Sequence, residues 1–343
     1  MNDQQMKTFF CRQFIFALIL LLAVLISPTL AQESTVYITI LSTKLFVAGA
    51  ANPPTGLFYQ KPTDDTTWNY LGGKNSRAFG LAVHAPAAGQ LIYIAAGNGV
   101  HRTTDDGKSW KITTGWEITE VLSVAIDPTN SATVYIATAY GIYKTSDGGA
   151  TWKQMNNGLT ATFSSGVIVD HRNSKVLYCA TEDGVFGSDD GAENWHKLNL
   201  PVTNIRVVAQ HPRDQQMLFA GTENDGIYIS RDGGKAWAES NIGSDHRTFY
   251  TIVFNPNHPE IMYAGGYATG VYKSMNGGKS WQRYHEGLMN LNIHALAVDP
   301  ANSSRVYAGT MGSGVFRSDD GGITWRQAGL SGAQVSAMSI QPF

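Results

Sequence analysis

Seven of the eight tryptophans in this 343-residue chain fall in series, at Trp68, Trp110, Trp152, Trp195, Trp237, Trp281 and Trp325. The intervals are 42, 42, 43, 42, 44 and 44 residues, and only Trp116 stands outside them. A fixed period of this length marks a repeat architecture. Around each tryptophan the same grammar recurs. One apolar run ends in Asp-Pro or a relative, as in Val121 to Pro128 or Ile293 to Pro300. After a polar loop comes a second run, such as Val134 to Thr138 or Val306 to Thr310. A short glycine turn leads to a third, Gly141 to Lys144 or Gly314 to Arg317, and the tryptophan opens a fourth.

These runs are five to eight residues long, β-branched or aromatic, and punctuated by Gly, Asn and Asp, which is strand chemistry. The 36 glycines, more than one residue in ten against a usual share of about 7%, supply the turns. Four antiparallel strands per period is the content of one propeller blade. A sheet with two apolar faces cannot bury itself, whereas seven arranged radially shelter one another. The expected fold is therefore all-β, a single seven-bladed β-propeller over residues 32–343. Hydrophobic residues at 43% suffice for its core.

The ends of the chain predict a closed ring. Val335 to Pro342 reads as the first strand of a repeat and then stops, whereas Leu45 to Gly49 reads as a second strand. The C-terminus is thus expected to supply the inner strand of the blade carrying Trp68, which covers an open sheet edge. Thr35 to Leu41 also reads as a strand and competes for that place.

The tryptophan loops read Thr103-x-Asp105-x-Gly107-x-Ser109-Trp110 and Thr145-x-Asp147-x-Gly149-x-Thr151-Trp152, then Ser230-x-Asp232-x-Gly234-x-Ala236-Trp237. Ser274-x-Asn276-x-Gly278-x-Ser280-Trp281 and Ser318-x-Asp320-x-Gly322-x-Thr324-Trp325 complete five full copies. This pattern resembles the Asp-box, or BNR repeat, of bacterial neuraminidases, sortilin-type receptors and the photosystem II stability/assembly factor family. The resemblance covers residues 44–343. The spacing also has a direct physical reading. A short carboxylate accepts N–H groups of its own hairpin, the glycine permits positive φ, and the indole folds back between blades. A motif present in every blade is architecture. Two copies depart from it. Gly187-x-Asp189-x-Gly191 is read with one extra residue before Trp195, and the first copy has Thr63 and Asp65 where Asp and Gly are expected. Both hairpins are expected to be looser.

Several catalytic patterns are only apparent. Gly107-Lys108-Ser109 and Gly278-Lys279-Ser280 lack the upstream glycine and the following helix of a phosphate loop. The nine histidines show no metal-ligand spacing, and no cofactor or metal is expected. Lys+Arg 25 against Asp+Glu 27 leaves a net charge of −2, which argues against nucleic acid as a partner. Asp-box sialidases are expected to carry an Arg-Ile-Pro signature and an arginine triad, yet Gln32 to Trp68 contains no arginine. Xyloglucan-cleaving relatives use two facing propellers, and this chain has length for one. The acidic candidates for a hydrolase are Glu182, Asp183, Glu223 and Asp225, in the glycine turns. The assembly-factor resemblance implies an arginine patch, but here arginines fall one or two per blade.

Binding rather than catalysis is therefore the expected function, with a carbohydrate-binding or glycoside-hydrolysing propeller as the alternative. The partner, protein or glycan, is expected on the face opposite the Asp-boxes. That face should carry Trp116, Glu117, Tyr140, Asp245, His246, Arg247, Tyr267 and His285. Trp116 is the tryptophan the repeat does not require, and exposed aromatics anchor interfaces or stack on sugars. A monomer is expected.

Residues 1–31 read as a signal peptide. Lys7 and Arg12 precede a 13-residue apolar run from Phe14 to Ile26, too short for a membrane span of about 20 residues. Thr29-Leu30-Ala31 offers small residues where a peptidase reads, placing cleavage before Gln32. An uncleaved anchor is the competing reading. Cys11 precedes the apolar run, and Cys179 is the one other cysteine, so the mature chain has no internal disulfide. Secretion or export to a periplasm is expected, with no stable membrane span after cleavage. N-terminal sequencing of protein recovered outside the cytoplasm should begin at Gln32, and a start at Met1 would leave the anchor.

Overall fold

The computed structural model describes residues 34–43, 55–61, 66–74, 76–84, 90–240, 242–243 and 245–342. Among them are seven four-stranded antiparallel sheets, the blades of a propeller. Blade one, which carries Trp68, is built from both ends of the described chain. Its order is Ala333–Pro342, Ser34–Thr43, Gly56–Gln60 and Asn69–Gly72. The C-terminal strand is therefore innermost, as expected. Ser34–Thr43 does not compete for that place. It lies second, with Val36 opposite Ile340 on one side and Gln60 on the other. Pairing on both edges buries Val36, Ile38 and Ile40 together. Leu45 to Gly49, Thr63, Asp65 and residues 1–33 lie outside the described residues.

The core is a set of layers between blades. Between blades three and four, Tyr135, Ala137, Ile142 and Met155 meet Val167, Leu177, Cys179, Phe186 and Trp195. The Cys179 thiol is pushed up to about 12 by this burial, so it is packing material rather than a nucleophile. Between blades seven and one, Tyr307, Val315 and Ala328 pack on Val36, Ile38, Phe58 and Val335.

Each indole reaches into the layer toward the preceding blade. The indole N–H of Trp195 donates to Met155 O (2.8 Å), that of Trp110 to Leu71 O (3.1 Å) and that of Trp281 to Ser240 Oγ (2.8 Å). The ring closes by the same device, because the Trp68 N–H donates to Ala328 O of blade seven at 2.7 Å.

The Asp-box hairpins explain why the tryptophans arrive there. In blade three, Asp147 accepts the Thr151 N–H (2.9 Å) and both the Thr145 and Thr151 hydroxyls, at 2.7 and 2.6 Å. The Thr145 hydroxyl in turn accepts Gly149 N–H at 2.9 Å. Asp105 repeats this arrangement. Asn276 keeps it with an amide, accepting Ser280 N–H and donating to the Ser280 hydroxyl.

Blade four corrects the reading of its motif. The carboxylate in the hairpin belongs to Asp190, not Asp189: Asn194 N–H and Nδ2 donate to it at 3.0 and 2.7 Å, and the Ser188 hydroxyl at 2.9 Å. No residue is inserted before Trp195. Ala192 takes the glycine place at φ 71° and Asn194 the hydroxyl place, so the hairpin keeps its full bonding instead of loosening. The Asp-Asp-Gly run admits two frames, and the distance to the indole selects the one the backbone uses.

Two outcomes follow from this packing. Trp195 is buried, so Trp195→Ala should lose roughly 3–5 kcal/mol in chemical denaturation, and an unchanged midpoint would refute the packing role. Hydrogen bonds from Ser109 hold Asp105 down at about 2, and bonds from Asn194 do the same for Asp190. Their folded values lie below the ordinary 3.8, so the stability they contribute is present above that value and is lost as pH falls toward about 2. Asp105→Asn, which copies the natural substitution at Asn276, should fold and show a shallower acid limb in pH-dependent melts.

Candidate functional site

The face opposite the Asp-boxes is held together by a belt of backbone hydrogen bonds. In blades two, four, five, six and seven the turn between the second and third strands bonds both to the segment that opens its own blade and to the segment that opens the next, and in blade three it bonds to the loop that opens its own. Gly97 N–H donates to Arg77 O and Glu120 N–H to Gly97 O, both at 3.0 Å. Ala139 N–H continues to Glu120 O (3.3 Å), Asn204 N–H to Glu182 O (2.8 Å) and Glu223 N–H to Asn204 O (2.9 Å). Tyr267 N–H reaches Thr248 O at 3.1 Å, and Met311 N–H reaches Asn292 O at 3.0 Å. The turns and loops named from the sequence therefore share one surface, with backbone satisfied and side chains released outward.

Trp116 is 91% exposed at the tip of Gly115–Ile118, a turn closed by Ile118 N–H on Gly115 O and anchored by the buried Ile118. Glu117 is exposed beside it. Tyr140 is exposed on the adjoining turn, its carbonyl held by Asn156 Nδ2 at 3.0 Å. The bond from Ala139 to Glu120 ties these two aromatics into one sector. Tyr267 is exposed on blade six, and Met289, which sequence reasoning missed, is exposed on the loop that follows. His285 is exposed at the start of that loop, where its carbonyl accepts Leu288 N–H.

Other predicted residues are committed within the fold. Arg247 donates to Asp225 O (2.9 Å) and to Glu239 Oε1 (2.7 Å), fastening a turn rather than standing free. Asp245 and His246 border a hollow of about 480 Å³ with Tyr272, Trp281 and Arg283. Among the acidic candidates, Asp183 accepts the Thr160 hydroxyl and Lys197 Nζ, and these partners hold its carboxyl below the ordinary range. Glu223 forms an ion pair with Arg206. A general acid needs a carboxyl pushed upward, so Asp183 is tuned in the wrong direction for glycoside cleavage. Glu182 is exposed beside a small hollow of about 190 Å³ that includes Asn204 and Arg206. Asp225 is half-buried in its turn, its N–H on the Thr222 hydroxyl at 3.0 Å.

A second group of residues was missed. In every blade the inner strand carries a bulge near its start, and the extra residue turns toward the ring axis. These residues are Phe79, Leu122, Ser165, Arg206, Tyr250, His294 and Ser336, which together border an axial cavity of about 350 Å³. One arc is apolar and another polar, and Tyr250 lies against His294 with ring centroids 4.3 Å apart. Ser165 and Ser336 bond onward to Ile205 O and Ala78 O of the neighbouring blades. The signal in the sequence is that this position changes chemistry from repeat to repeat while its neighbours stay small or apolar. Among the described residues, no three His, Cys, Asp or Glu side chains converge as metal ligands.

Burial pushes His294 down to about 4. Its folded value lies below the ordinary 6.5, so the unfolded chain binds the proton first and stability falls as pH drops from 6.5 toward about 4. His294→Gln should flatten that interval relative to the parent in urea titrations, and an identical slope would contradict the half-buried, neutral imidazole.

No curated protein matches the chain in sequence. Among solved structures it is similar to a GH74 enzyme of Niastella koreensis, with TM-score 0.60 and 22% identity over 73% of this chain. That match spans 45% of the enzyme, less than half its length. A YCF48 structure bound to a D1 peptide gives TM-score 0.57 and 17% identity, covering 74% of this chain and 83% of that one. The extracellular domain of BT4673 from B. thetaiotaomicron gives TM-score 0.61 and 16% identity, covering 83% and 38%. At these identities the likeness is one of fold. The BNR/Asp-box repeat model matches residues 316–327, the hairpin of blade seven. The model described as the DUF6242 beta propeller domain matches residues 119–292, from blade three through blade six. With half of its length accounted for by that match, the chain belongs to the DUF6242 β-propeller domain family.

Proposed function

We propose that the chain is an exported, non-catalytic propeller that binds a protein partner on the face opposite its Asp-boxes, as a scaffold or an assembly and stability factor. The observation that carries this reading is Trp116, 91% exposed on a closed turn next to Tyr140. A large indole held in water by a rigid loop is an anchor awaiting a partner. Tyr267 and Met289 extend the apolar surface on the far side of the ring. The pairing of Asp183 with Lys197 and of Glu223 with Arg206 supports binding over hydrolysis. A propeller of similar fold holds a peptide in the YCF48 structure, which supports the choice of a protein partner.

The working unit is a monomer released outside the cytoplasm after cleavage before Gln32. Pull-down with the mature chain, run beside a glycan array, tests the proposal. Specific protein capture should be lost in Trp116→Ala, whose melting temperature should match the parent because the ring is not packed. Glycan binding that depends on Trp116, without protein capture, would replace the scaffold by the carbohydrate reading. Capture indifferent to Trp116 would remove the anchor.

A further inference from the structure

At three seams of the ring a tyrosine and a cation from one blade grip the next Asp-box. Tyr93 lies beneath the Arg102 guanidinium (5.8 Å to the ring centroid) and donates its hydroxyl to Gly148 O at 3.2 Å. Tyr135 lies beneath Lys144, whose ammonium donates to Gly191 O at 2.9 Å. Tyr263 lies beneath Lys273, which donates to Gly321 O at 2.7 Å. The cation and the ring are register partners on the third and second strands. Blade five abandons the pair for Phe219 and Ile229, which fill the seam against Gly278.

Blade four keeps the tyrosine and loses the cation. Tyr178 is opposite Gly187, so nothing covers the ring from the third strand. Tyr178 is 8% exposed, whereas Tyr93, Tyr135 and Tyr263 are at most 1% exposed. A groove of about 540 Å³ opens there, between blades four and five on the Asp-box side. It is bordered by Tyr178, Gly187, Asp189, His196, Gln216 and Gly233. Gly233 is the counterpart of the gripped glycines, and no donor among the described residues reaches its carbonyl. Asp189, displaced from the hairpin by Asp190, accepts no hydrogen bond among the described residues. The other acids on the groove are occupied: Asp170 by Gln210 and Gln215, Asp232 by its own hairpin. Of the two lysines at its border, Lys197 is committed to Asp183, while Lys235 stays beside the groove.

We infer that this groove is a binding site for a primary ammonium or guanidinium group, seated where the chain's own lysine or arginine sits at the equivalent seams. The aromatic face of Tyr178, the Gly233 carbonyl and the Asp189 carboxylate are the three elements such a group requires. The site lies on the opposite side of the ring from Trp116, so it stands or falls independently of the proposed partner face. The group is either a free amine or the tip of a side chain on another protein.

The test is a titration of the mature chain with n-butylammonium and with ethylguanidinium, followed by the ring signals of Tyr178 in NMR spectra. Mildly alkaline pH keeps imidazoles neutral and the probes charged. Saturable binding is expected, with 1-butanol giving none. The Gly187 backbone is not left-handed, and an added Cβ would meet the exposed His196 ring at 3.2 Å, which can shift. Gly187→Lys should therefore fill the seam, raise the melting temperature and abolish probe binding, while Gly187→Ala should not raise it. Asp189→Asn should weaken both probes several-fold with the fold intact. Absence of saturation, equal binding of 1-butanol, or binding that survives Gly187→Lys would overturn the site. A capped pentapeptide with a central lysine that binds more tightly than n-butylammonium would assign the group to a partner chain, and weaker binding to a free amine; either supports the site.

Discussion

A four-stranded sheet with apolar residues on both faces has no stable existence by itself, and every other feature of this protein answers to that constraint. Each blade is sheltered only by its two neighbours, so the layers between blades, rather than any central core, carry the stabilisation. An open ring would leave two such faces in water. Closure is therefore an energetic requirement, met twice in blade one. The C-terminal strand joins Ser34–Thr43 along its whole edge, and the indole of Trp68 bonds across to Ala328 of blade seven.

The Asp-box is the local device that makes this assembly repeatable. A carboxylate or an amide satisfies the hairpin N–H groups, residues at positive φ reverse the chain, and the indole is delivered to the preceding blade. Its tolerance is instructive. Asn276 replaces the charge, Ala192 the glycine and Asn194 the hydroxyl, and the backbone bonds survive all three. What the motif keeps is a short acceptor four residues before the N–H of the residue that precedes the tryptophan, not ionisation itself.

Because the frame is satisfied by backbone and buried side chains, chemistry is free to vary where the frame leaves openings. Those openings are of three kinds: the loops and turns above the belt, the bulged residue facing the axis, and the seam positions between second and third strands. Trp116, the ring from Phe79 to Ser336, and Gly187 opposite Tyr178 are one instance of each. In all three the repeat supplies the expectation and the exception carries the information.

The sequence by itself determined the number of blades, the four-strand order of blades two to seven and the hairpin motif in five of them, and it pointed to the C-terminus as the closing strand while leaving Thr35 to Leu41 in competition for that place. These rest on local periodicity, which is written along the chain. It also named Trp116, Tyr140 and Tyr267, since an aromatic outside the repeat grammar has no packing task assigned by it. Only the tertiary structure decided the rest. The frame of blade four, Asp190 over Asp189, depends on where Trp195 must land in a layer shared with blade three. The commitment of Glu223 to Arg206 and of Asp183 to Lys197 depends on which strands lie side by side. The axial ring and the groove at Tyr178 exist because seven sheets meet around one axis, and a contact between blades has no period in any single one of them.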